Sequence, residues 1–246
     1  MTSDTGVSFP SWIKRFPGAA PGATVVFPHA GGAAAAYRGF AKVLSDNGTP
    51  AIIVQYPQRA DRLTHPAAGT VEEIAQQLFD AGDWSGVAPL TLFGHCMGAV
   101  VAFEFARIAE ARGIDVRALW ASAGQAPSTV TEGFPLPSTD AEVLADMIDL
   151  GGTNPVLLED EDFAELLMRA VKADYRALST YSCAPDVRIR ADIHALGGSA
   201  DHRTRRDWLD RWAGHTEGRF TCEFFDGGHF YLNDHLTEVA QLVGRA

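Results

Sequence analysis

The stretch Leu90-Thr91-Leu92-Phe93-Gly94-His95-Cys96-Met97-Gly98 decides the fold of this 246-residue chain, because it joins an apolar run to a helical pattern through a tight turn. The run is typical of a buried strand, and residues 99–112 have the spacing of a helix. Gly94 and Gly98 flank Cys96 at positions where a sharp turn admits only small residues. The turn lifts the Cys96 sulfur above the sheet, beside a helix N-terminus that favours negative charge. The alternative is a structural cysteine buried in a glycine-flanked turn.

A nucleophile on a strained strand–turn–helix connection is the elbow of the α/β-hydrolase fold, here with cysteine where serine usually stands. The rest of the chain alternates apolar strands and helices, which indicates a mainly parallel central sheet with helices on both faces. Strands are predicted at residues 24–27, 51–55, 90–93, 118–123, 191–196 and 219–225. Helices are predicted at residues 34–46, 71–81 (with Thr70 as the cap and Glu73 three residues on), 96–112 and 235–243.

Length and composition agree with one domain over residues 1–246, since 46% hydrophobic residues are enough for a sizeable core. The net charge of −11 argues against non-specific binding to nucleic acid. No apolar run is long enough to span a membrane, and the polar first ten residues do not resemble a signal peptide, so a cytoplasmic protein is expected. The three cysteines have no metal-ligand spacing, and no motif suggests a metal or redox cofactor.

The other groups of a nucleophilic site can be assigned by their order along the chain. A nucleophile needs a base within hydrogen-bond reach and a third group that orients the base, and in this fold the acid and then the histidine follow it. His229 lies on a glycine-rich loop after the last predicted strand, and Asp201 follows the strand before it. We therefore predict Cys96 as nucleophile, His229 as general base and later acid, and Asp201 as the orienting acid. Asp226 is the rival acid, but it lies very close to His229 along the chain.

An oxyanion hole made of backbone N–H groups should complete the site. One predicted donor is the N–H of Met97, directly after the nucleophile, and the other is the N–H of Ala30 in the loop after the first predicted strand. Gly31 and Gly32 would let that loop approach a ligand closely, or they would form a simple turn. Among the other histidines, His95 is expected to pack within the elbow. Surface positions are expected for His202, His215 and His235.

Several ordered blocks closely resemble the type II thioesterases, the discrete α/β-hydrolases that work beside polyketide synthases and non-ribosomal peptide synthetases. The blocks are Phe27-Pro-His-Ala-Gly-Gly32, Gln55-Tyr-Pro-Gln-Arg-Ala-Asp-Arg62, Gly94-His-Cys-Met-Gly98, Leu150-Gly-Gly-Thr-Asn-Pro155, Ala173-Asp-Tyr-Arg176, Thr180-Tyr181 and Gly227-Gly-His-Phe-Tyr-Leu-Asn-Asp234. The resemblance runs from about Phe16 to the C-terminus. It implies a monomer that hydrolyses acyl groups from the phosphopantetheine arm of an acyl or peptidyl carrier protein. It also implies the triad and oxyanion donors assigned above.

Two residues depart from the family pattern. Cys96 replaces the usual serine, and Gln58 stands where glycine is common. The cysteine is native and hydrolytic, or native and tuned for acyl transfer, or an engineered substitution that traps an acyl-enzyme. A cysteine keeps the acyl group as a reactive thioester, and its thiol ionises more easily than an alcohol. The competing functions are therefore hydrolysis, transfer or cyclisation onto an amine, alcohol or thiol acceptor, and a non-catalytic scaffold that kept the fold.

Residues 127–185 interrupt the alternation and contain two helical patterns, at 140–150 and 160–181, instead of strands. An insertion at the edge of a sheet where ligands bind suggests a lid. Its apolar side chains either line a channel for an acyl chain or pack the lid onto the core; they include Leu144, Met147, Ile148, Leu150, Leu157, Leu166, Leu167 and Met168.

Basic residues near the predicted site are candidates for docking an acidic carrier, because the net charge of the chain is itself negative. Arg203, Arg205 and Arg206 follow the predicted acid, and Arg59 and Arg62 follow the second predicted strand. Some of these would hold the phosphopantetheine phosphate or acidic carrier residues, unless they are ordinary solvated surface. The predicted substrate- and carrier-binding residues are His29, Gly31, Arg59, Arg203 and Arg206.

Overall fold

A seven-stranded sheet forms the centre of the structure, a computed structural model that describes residues 11–133, 135–152 and 155–245. Its strands lie in the order β1-β3-β2-β4-β5-β6-β7. All neighbours run parallel except β1, which pairs antiparallel with β3. The strands are β1 (Ile13–Phe16), β2 (Ala23–Phe27), β3 (Ala51–Val54), β4 (Leu90–His95), β5 (Val116–Ser122), β6 (Asp192–Gly198) and β7 (Phe220–Phe225).

Helices cover both faces of this sheet. One hydrophobic cluster lies between the sheet and α2 and α3, and a second lies between the sheet and α1 and α7. Both faces of β2, β3 and β4 are buried, which is why these strands read as continuous apolar runs. The helices are α1 (Arg38–Asp46), α2 (Val71–Asp80), α3 (Met97–Ala111), α4 (Asp140–Leu150), α5 (Glu161–Ser179), α6 (Arg206–Asp210) and α7 (Leu236–Val243). The predicted α/β class and mainly parallel sheet are confirmed.

The predicted boundaries differ from the observed ones at a few places. The edge strand β1 was not predicted, and the first predicted helix begins as a 3-10 turn, Ala34–Tyr37, that leads into α1. The predicted cap of α2 is confirmed, because the Thr70 side chain accepts a hydrogen bond from the backbone N–H of Glu73 at 3.1 Å. Some residues named in the sequence analysis lie outside the described part of the chain. They are residues 1–10, 153 and 154, together with the side chain of Leu157.

The inserted segment, residues 127–185, contains α4 and α5 and packs above the carboxyl ends of the parallel strands. Its small apolar cluster is formed by Val143, Met147, Val171 and Tyr175, with Ala30 of the loop after β2 packed against it. Leu144 and Ile148 are instead exposed, so the apolar residues of the segment do not share one role. Across the described residues, no helix combines the length and apolar character needed to cross a membrane.

Candidate active site

Cys96 lies in a strained turn between β4 and α3, with φ 56° and ψ −122°. A side chain at Gly94 would place its Cβ 2.2 Å from the Gly98 carbonyl oxygen, and one at Gly98 would lie 2.1 Å from the Phe27 oxygen. Both contacts are with backbone atoms, so neither can be relieved by turning a side chain. The two glycines are thus required by the close approach of α3 to β2 and β4, and the turn leaves the Cys96 sulfur at the carboxyl edge of the sheet.

His229 and Asp201 come to this edge from the loops after β7 and β6. The Nδ1 atom of His229 lies 2.9 Å from Oδ2 of Asp201, and both side chains are buried. Asp201 is itself held by the backbone N–H groups of Arg203, at 2.8 Å, and Thr204, at 3.1 Å. Asp226 points elsewhere, with Oδ1 3.5 Å from the Ser199 hydroxyl. The structure therefore places Asp201, and not the rival acid, against the imidazole.

The other imidazole nitrogen, Nε2 of His229, is buried and has no hydrogen-bond partner among the described residues, and Cys96 is close enough to affect the pKa of the ring. Burial favours the uncharged form of each group, but attraction between the charged forms prevails. The negative charge of Cys96 and the hydrogen bond with Asp201 raise the pKa of His229 to about 9. Conversely, the His229 charge and the Met97 N–H lower the pKa of Cys96. The arrangement favours a thiolate–imidazolium pair, which is a nucleophile ready to attack.

Two backbone N–H groups near the sulfur suit an oxyanion. The Met97 N–H already interacts with the Cys96 sulfur. In the loop after β2, the N–H groups of His29, Gly31 and Gly32 each donate a hydrogen bond, to Tyr37, Asp174 and His29 respectively. The Ala30 N–H donates none to any described residue, and Ala30 lines a cavity with Cys96 and His229. Among residues 29–32, Ala30 therefore has the N–H that remains available to a ligand, which supports its predicted role beside Met97.

Two further histidines surround His229. His95 is fully buried, with Nδ1 2.9 Å from the Ser122 hydroxyl, and its ring centroid is 5.5 Å from that of His229. The Nδ1 atom of His29 lies 2.8 Å from the Tyr37 hydroxyl. Burial, and after it the charges of His229 and Arg59, lowers the pKa of His29 to about 3. Burial first of all, and then the charge of His229, lowers the pKa of His95 well below its ordinary value. The neutral form is thus favoured for both rings, and of these three imidazoles His229 is the one whose pKa is raised.

Two cavities meet at Cys96 and His229. The larger, about 590 Å³, runs between the loop after β2 and the inserted segment, and its walls include Met147, Leu150, Leu166 and Leu167. The smaller, about 260 Å³, is also lined mostly by apolar atoms, but its walls include the polar side chains of Gln125, Thr131, Arg203 and Thr204. The sulfur is therefore accessible from an apolar space and from a more polar one.

The predicted docking arginines have different environments. Arg59 is buried and its guanidinium is used within the protein, by Asp174 and two backbone carbonyls, which disfavours the predicted contact with a carrier. Arg203 is mostly buried beside Asp146 of α4, near enough to Cys96 to help lower the pKa of the thiol. Arg206 is exposed at the start of α6, with its guanidinium 4.5 Å from the Phe224 ring centroid. Only Arg206 of these three presents its charge to solvent.

One histidine prediction is wrong, and one important residue was not predicted. His215 is fully buried rather than on the surface, because its ring nitrogens lie 2.8 Å from the Val187 carbonyl oxygen and 2.8 Å from the Ser128 hydroxyl. Asp174 of α5 is buried against the loop after β2. An acid on the apolar face of a helix, beside Ala170, Val171 and Tyr175, is the sequence signal that could have identified it. The described residues contain no group of three or more His, Cys, Asp or Glu side chains arranged to hold a metal ion.

The thioesterase domain family model matches residues 24–246. Phenyloxazoline synthase MbtB of Mycobacterium tuberculosis is 68% identical over 237 residues, which cover 96% of this chain. The chain spans only 17% of the length of that relative.

Relatives of similar length share the family. Thioesterase PikA5 of Streptomyces venezuelae is 37% identical over 93% of this chain and 82% of its own length. The solved structure of the type II thioesterase BorB, from the borrelidin biosynthetic cluster, is 34% identical, with a TM-score of 0.79 and 96% of both chains covered. The chain therefore belongs to the thioesterase domain family, as its resemblance to the type II thioesterases predicted.

Proposed function

We propose that this thioesterase releases acyl groups from the phosphopantetheine thiol of a carrier protein through an acyl-Cys96 intermediate. The observation that carries the proposal is the pairing of Cys96 with His229, which is buried against Asp201 where two cavities meet. A thiolate held beside an imidazolium has the charge distribution that attack on a thioester needs.

In the first step, the thiolate sulfur of Cys96 attacks the carbonyl carbon of the substrate and forms a carbon–sulfur bond. The negative charge moves to the carbonyl oxygen, where the N–H groups of Met97 and Ala30 stabilise it. The bond between the carbonyl carbon and the pantetheine sulfur then breaks, and the leaving thiolate takes the proton of His229. The products are acyl-Cys96, neutral His229 and the free carrier thiol.

In the second step, His229 changes from acid to base. Acylation removes the thiolate charge, which is the largest of the causes that raise the pKa of His229, and this loss favours the neutral ring that a base requires. Neutral Nε2 accepts a proton from a water molecule, whose oxygen attacks the acyl carbon. The bond from the acyl carbon to Cys96 breaks, which releases a carboxylic acid and restores the thiolate–imidazolium pair.

The acyl chain would occupy the larger cavity, since its walls are mainly apolar, and residues 127–185 would serve as a lid above it. Leu166 is partly exposed and Leu167 lines the same space, so the cavity has an apolar entrance on α5. Burial of a chain there gains about 0.8 kcal/mol per CH₂ group. The reaction would therefore favour longer acyl groups until the cavity is full.

Intact-mass analysis with acyl thioesters of N-acetylcysteamine tests the proposal. The wild-type protein should gain one acyl mass and release free acid, whereas Cys96→Ala should do neither. Cys183 and Cys222 remain in that control, so an acyl mass on the variant would report acylation outside the site. Burial is the main cause that raises the pKa of each of these thiols, which disfavours their reactive thiolate form. Absence of both acyl mass and acid across several chain lengths would contradict the function and leave a non-catalytic scaffold.

Acyl transfer to a second substrate is the alternative, and the second cavity beside Cys96, about 260 Å³ with Gln125, Thr131 and Arg203 in its walls, favours it. An acceptor amine, alcohol or thiol in that space would replace water as the attacking group, with its proton passing to His229. The thioester in acyl-Cys96 retains enough reactivity for this exchange. Product analysis with supplied acceptors separates the two, because hydrolysis alone yields only the free acid.

A further inference from the structure

The loop that carries the Ala30 N–H is held by a side chain from the inserted segment. Asp174, on α5, accepts a hydrogen bond from the Gly31 N–H at 2.7 Å through Oδ2. The two residues are 143 positions apart in sequence, and the contact is buried. The carboxylate thus ties α5 to the residue that directly follows Ala30.

Arg59 holds the same loop from the other side. Its Nε donates to the Gly32 carbonyl oxygen at 3.1 Å, its Nη1 donates to the Pro57 oxygen at 2.5 Å, and its Nη2 pairs with Asp174. Both charged side chains are only 7% exposed. Asp174 therefore fixes the N–H group of Gly31, and Arg59 fixes the C=O group of Gly32. Together they restrict the orientation of the peptide units of this loop.

Packing requires α5 to lie directly against this loop. Gly31 has φ 76°, and a Cβ built there would be 2.3 Å from a Val171 methyl carbon. Val171 lies one helical turn before Asp174, on the same face of α5. The absence of a side chain at Gly31 is thus what allows the carboxylate to reach the backbone.

We propose that Asp174 and Arg59 are positioning residues that orient the Ala30 N–H toward the oxyanion. Through them, the position of this N–H group depends on the packing of α5 against the loop after β2. The inference rests on the proposed function, since it concerns the acylation of Cys96. If α5 separates from the loop, the Gly31 N–H loses its acceptor and Arg59 loses its counter-ion. The oxyanion hole is therefore assembled only while the inserted segment is in place.

Two reactions at the same sulfur distinguish this role from general support of the fold. Alkylation of Cys96 by iodoacetamide needs the thiolate but forms no oxyanion. Acylation by an acyl thioester of N-acetylcysteamine needs the thiolate and also forms an oxyanion that must be stabilised. For Asp174→Asn and Asp174→Ala, we expect the acylation rate at saturating thioester to fall about 10- to 100-fold, with a nearly unchanged concentration for half-maximal rate. The alkylation rate and its pH profile should stay within about twofold of wild type.

Matched variants complete the experiment. Lys172→Met removes an exposed ion pair of the same helix, with Asp140, that does not touch the loop, and it should leave both reactions unchanged. Asp174→Asn keeps an oxygen for the Gly31 N–H and should acylate faster than Asp174→Ala. Circular dichroism checks that each variant is folded, and the isosteric asparagine variant provides the test if the alanine variant does not fold.

The outcomes separate the inference from the function it rests on. Slower acylation with intact alkylation in the Asp174 variants supports the positioning role. Equal loss of both reactions, or no loss of either, overturns it while wild-type acylation still stands. Failure of the wild-type protein to acylate at all overturns the proposed function itself.

Discussion

At the scale of single residues, a cysteine at position 96 gives His229 a different first role in the proposed mechanism from the one it would have beside a serine. A serine hydroxyl stays protonated until attack, so its histidine acts first as a base. Here the lowered pKa of Cys96 and the raised pKa of His229, about 9, favour a thiolate–imidazolium pair before attack. In the proposed mechanism, His229 therefore acts first as an acid toward the leaving thiol. In the proposed acyl-Cys96 intermediate the acyl group remains a thioester, so the first step would be nearly balanced in free energy.

The two pKa shifts predict a bell-shaped pH dependence for acylation. Below the lowered pKa of Cys96 the thiol is protonated, so the rate rises as pH passes that value. Near pH 9, His229 loses the proton that the leaving thiolate needs, so the rate falls. Stopped-flow acylation across pH 5 to 10 measures both limbs, whose apparent pKa values belong to the pair rather than to either residue.

Asp201→Asn tests the origin of these limbs. Removing the carboxylate lowers the pKa of His229, because the hydrogen bond and charge of Asp201 help to raise it. The falling limb should move to lower pH, and the rising limb to higher pH as the thiolate loses part of its stabilisation. Asp226→Asn is the matched control and should shift neither limb. A profile for Asp201→Asn identical to that of wild type would contradict the assignment of Asp201.

At the scale of elements, the elbow depends on how closely α3 approaches β2 and β4. Gly98→Ala should lower the free energy of unfolding by about 1–3 kcal/mol or more, because its Cβ would lie 2.1 Å from a backbone oxygen that cannot move alone. Gly228→Ala is the control, since nothing lies within 4 Å of a Cβ at that position, and its effect should be small. Urea denaturation of both variants gives the comparison, and equal stabilities would refute the steric argument.

The core strands could be predicted because a strand that is buried on both faces has a continuous run of apolar residues in its own sequence, as β2 and β4 do. The edge strand β1 could not, since Lys14 and Arg15 occupy its middle and its pairing with β3 depends on residues about 40 positions away. Such charged edge strands protect a sheet from further pairing but lack a strand-like pattern.

The site, like the sheet, has some residues that could be predicted from the sequence and others that could not. The positions of Cys96, His229 and Asp201 follow from the order of loops at one sheet edge, so their proximity could be predicted from chain order. The burial of Arg59 could not, because it depends on Asp174, 115 residues further along the chain. Gln58 has φ 65°, a conformation that glycine adopts more readily, which fits the glycine that the family resemblance leads us to expect there.

At the scale of the whole molecule, the net charge of −11 would repel an acidic carrier, so docking of the proposed carrier would depend on local positive charge. Most arginines near the site are already used within the protein: Arg59 pairs with Asp174, Arg203 with Asp146 and Arg205 with Asp207. Arg206 lies exposed on α6, close in sequence to the loop that bears Asp201. It is the best remaining candidate for a carrier contact at the active-site edge.

Charge reversal at this position provides the corresponding test. Arg206→Glu should raise KM for a carrier-bound acyl group several-fold while leaving the reaction with the N-acetylcysteamine thioester unchanged, because only the carrier meets the surface charge. Arg117→Glu makes the same change of net charge at the start of β5, on the opposite edge of the sheet, and should affect carrier substrates far less. Added salt should narrow the difference between Arg206→Glu and wild type, since screening weakens exposed charge pairs. If both variants weaken the carrier reaction equally, net charge rather than a local contact governs docking, and Arg206 has no particular part in it.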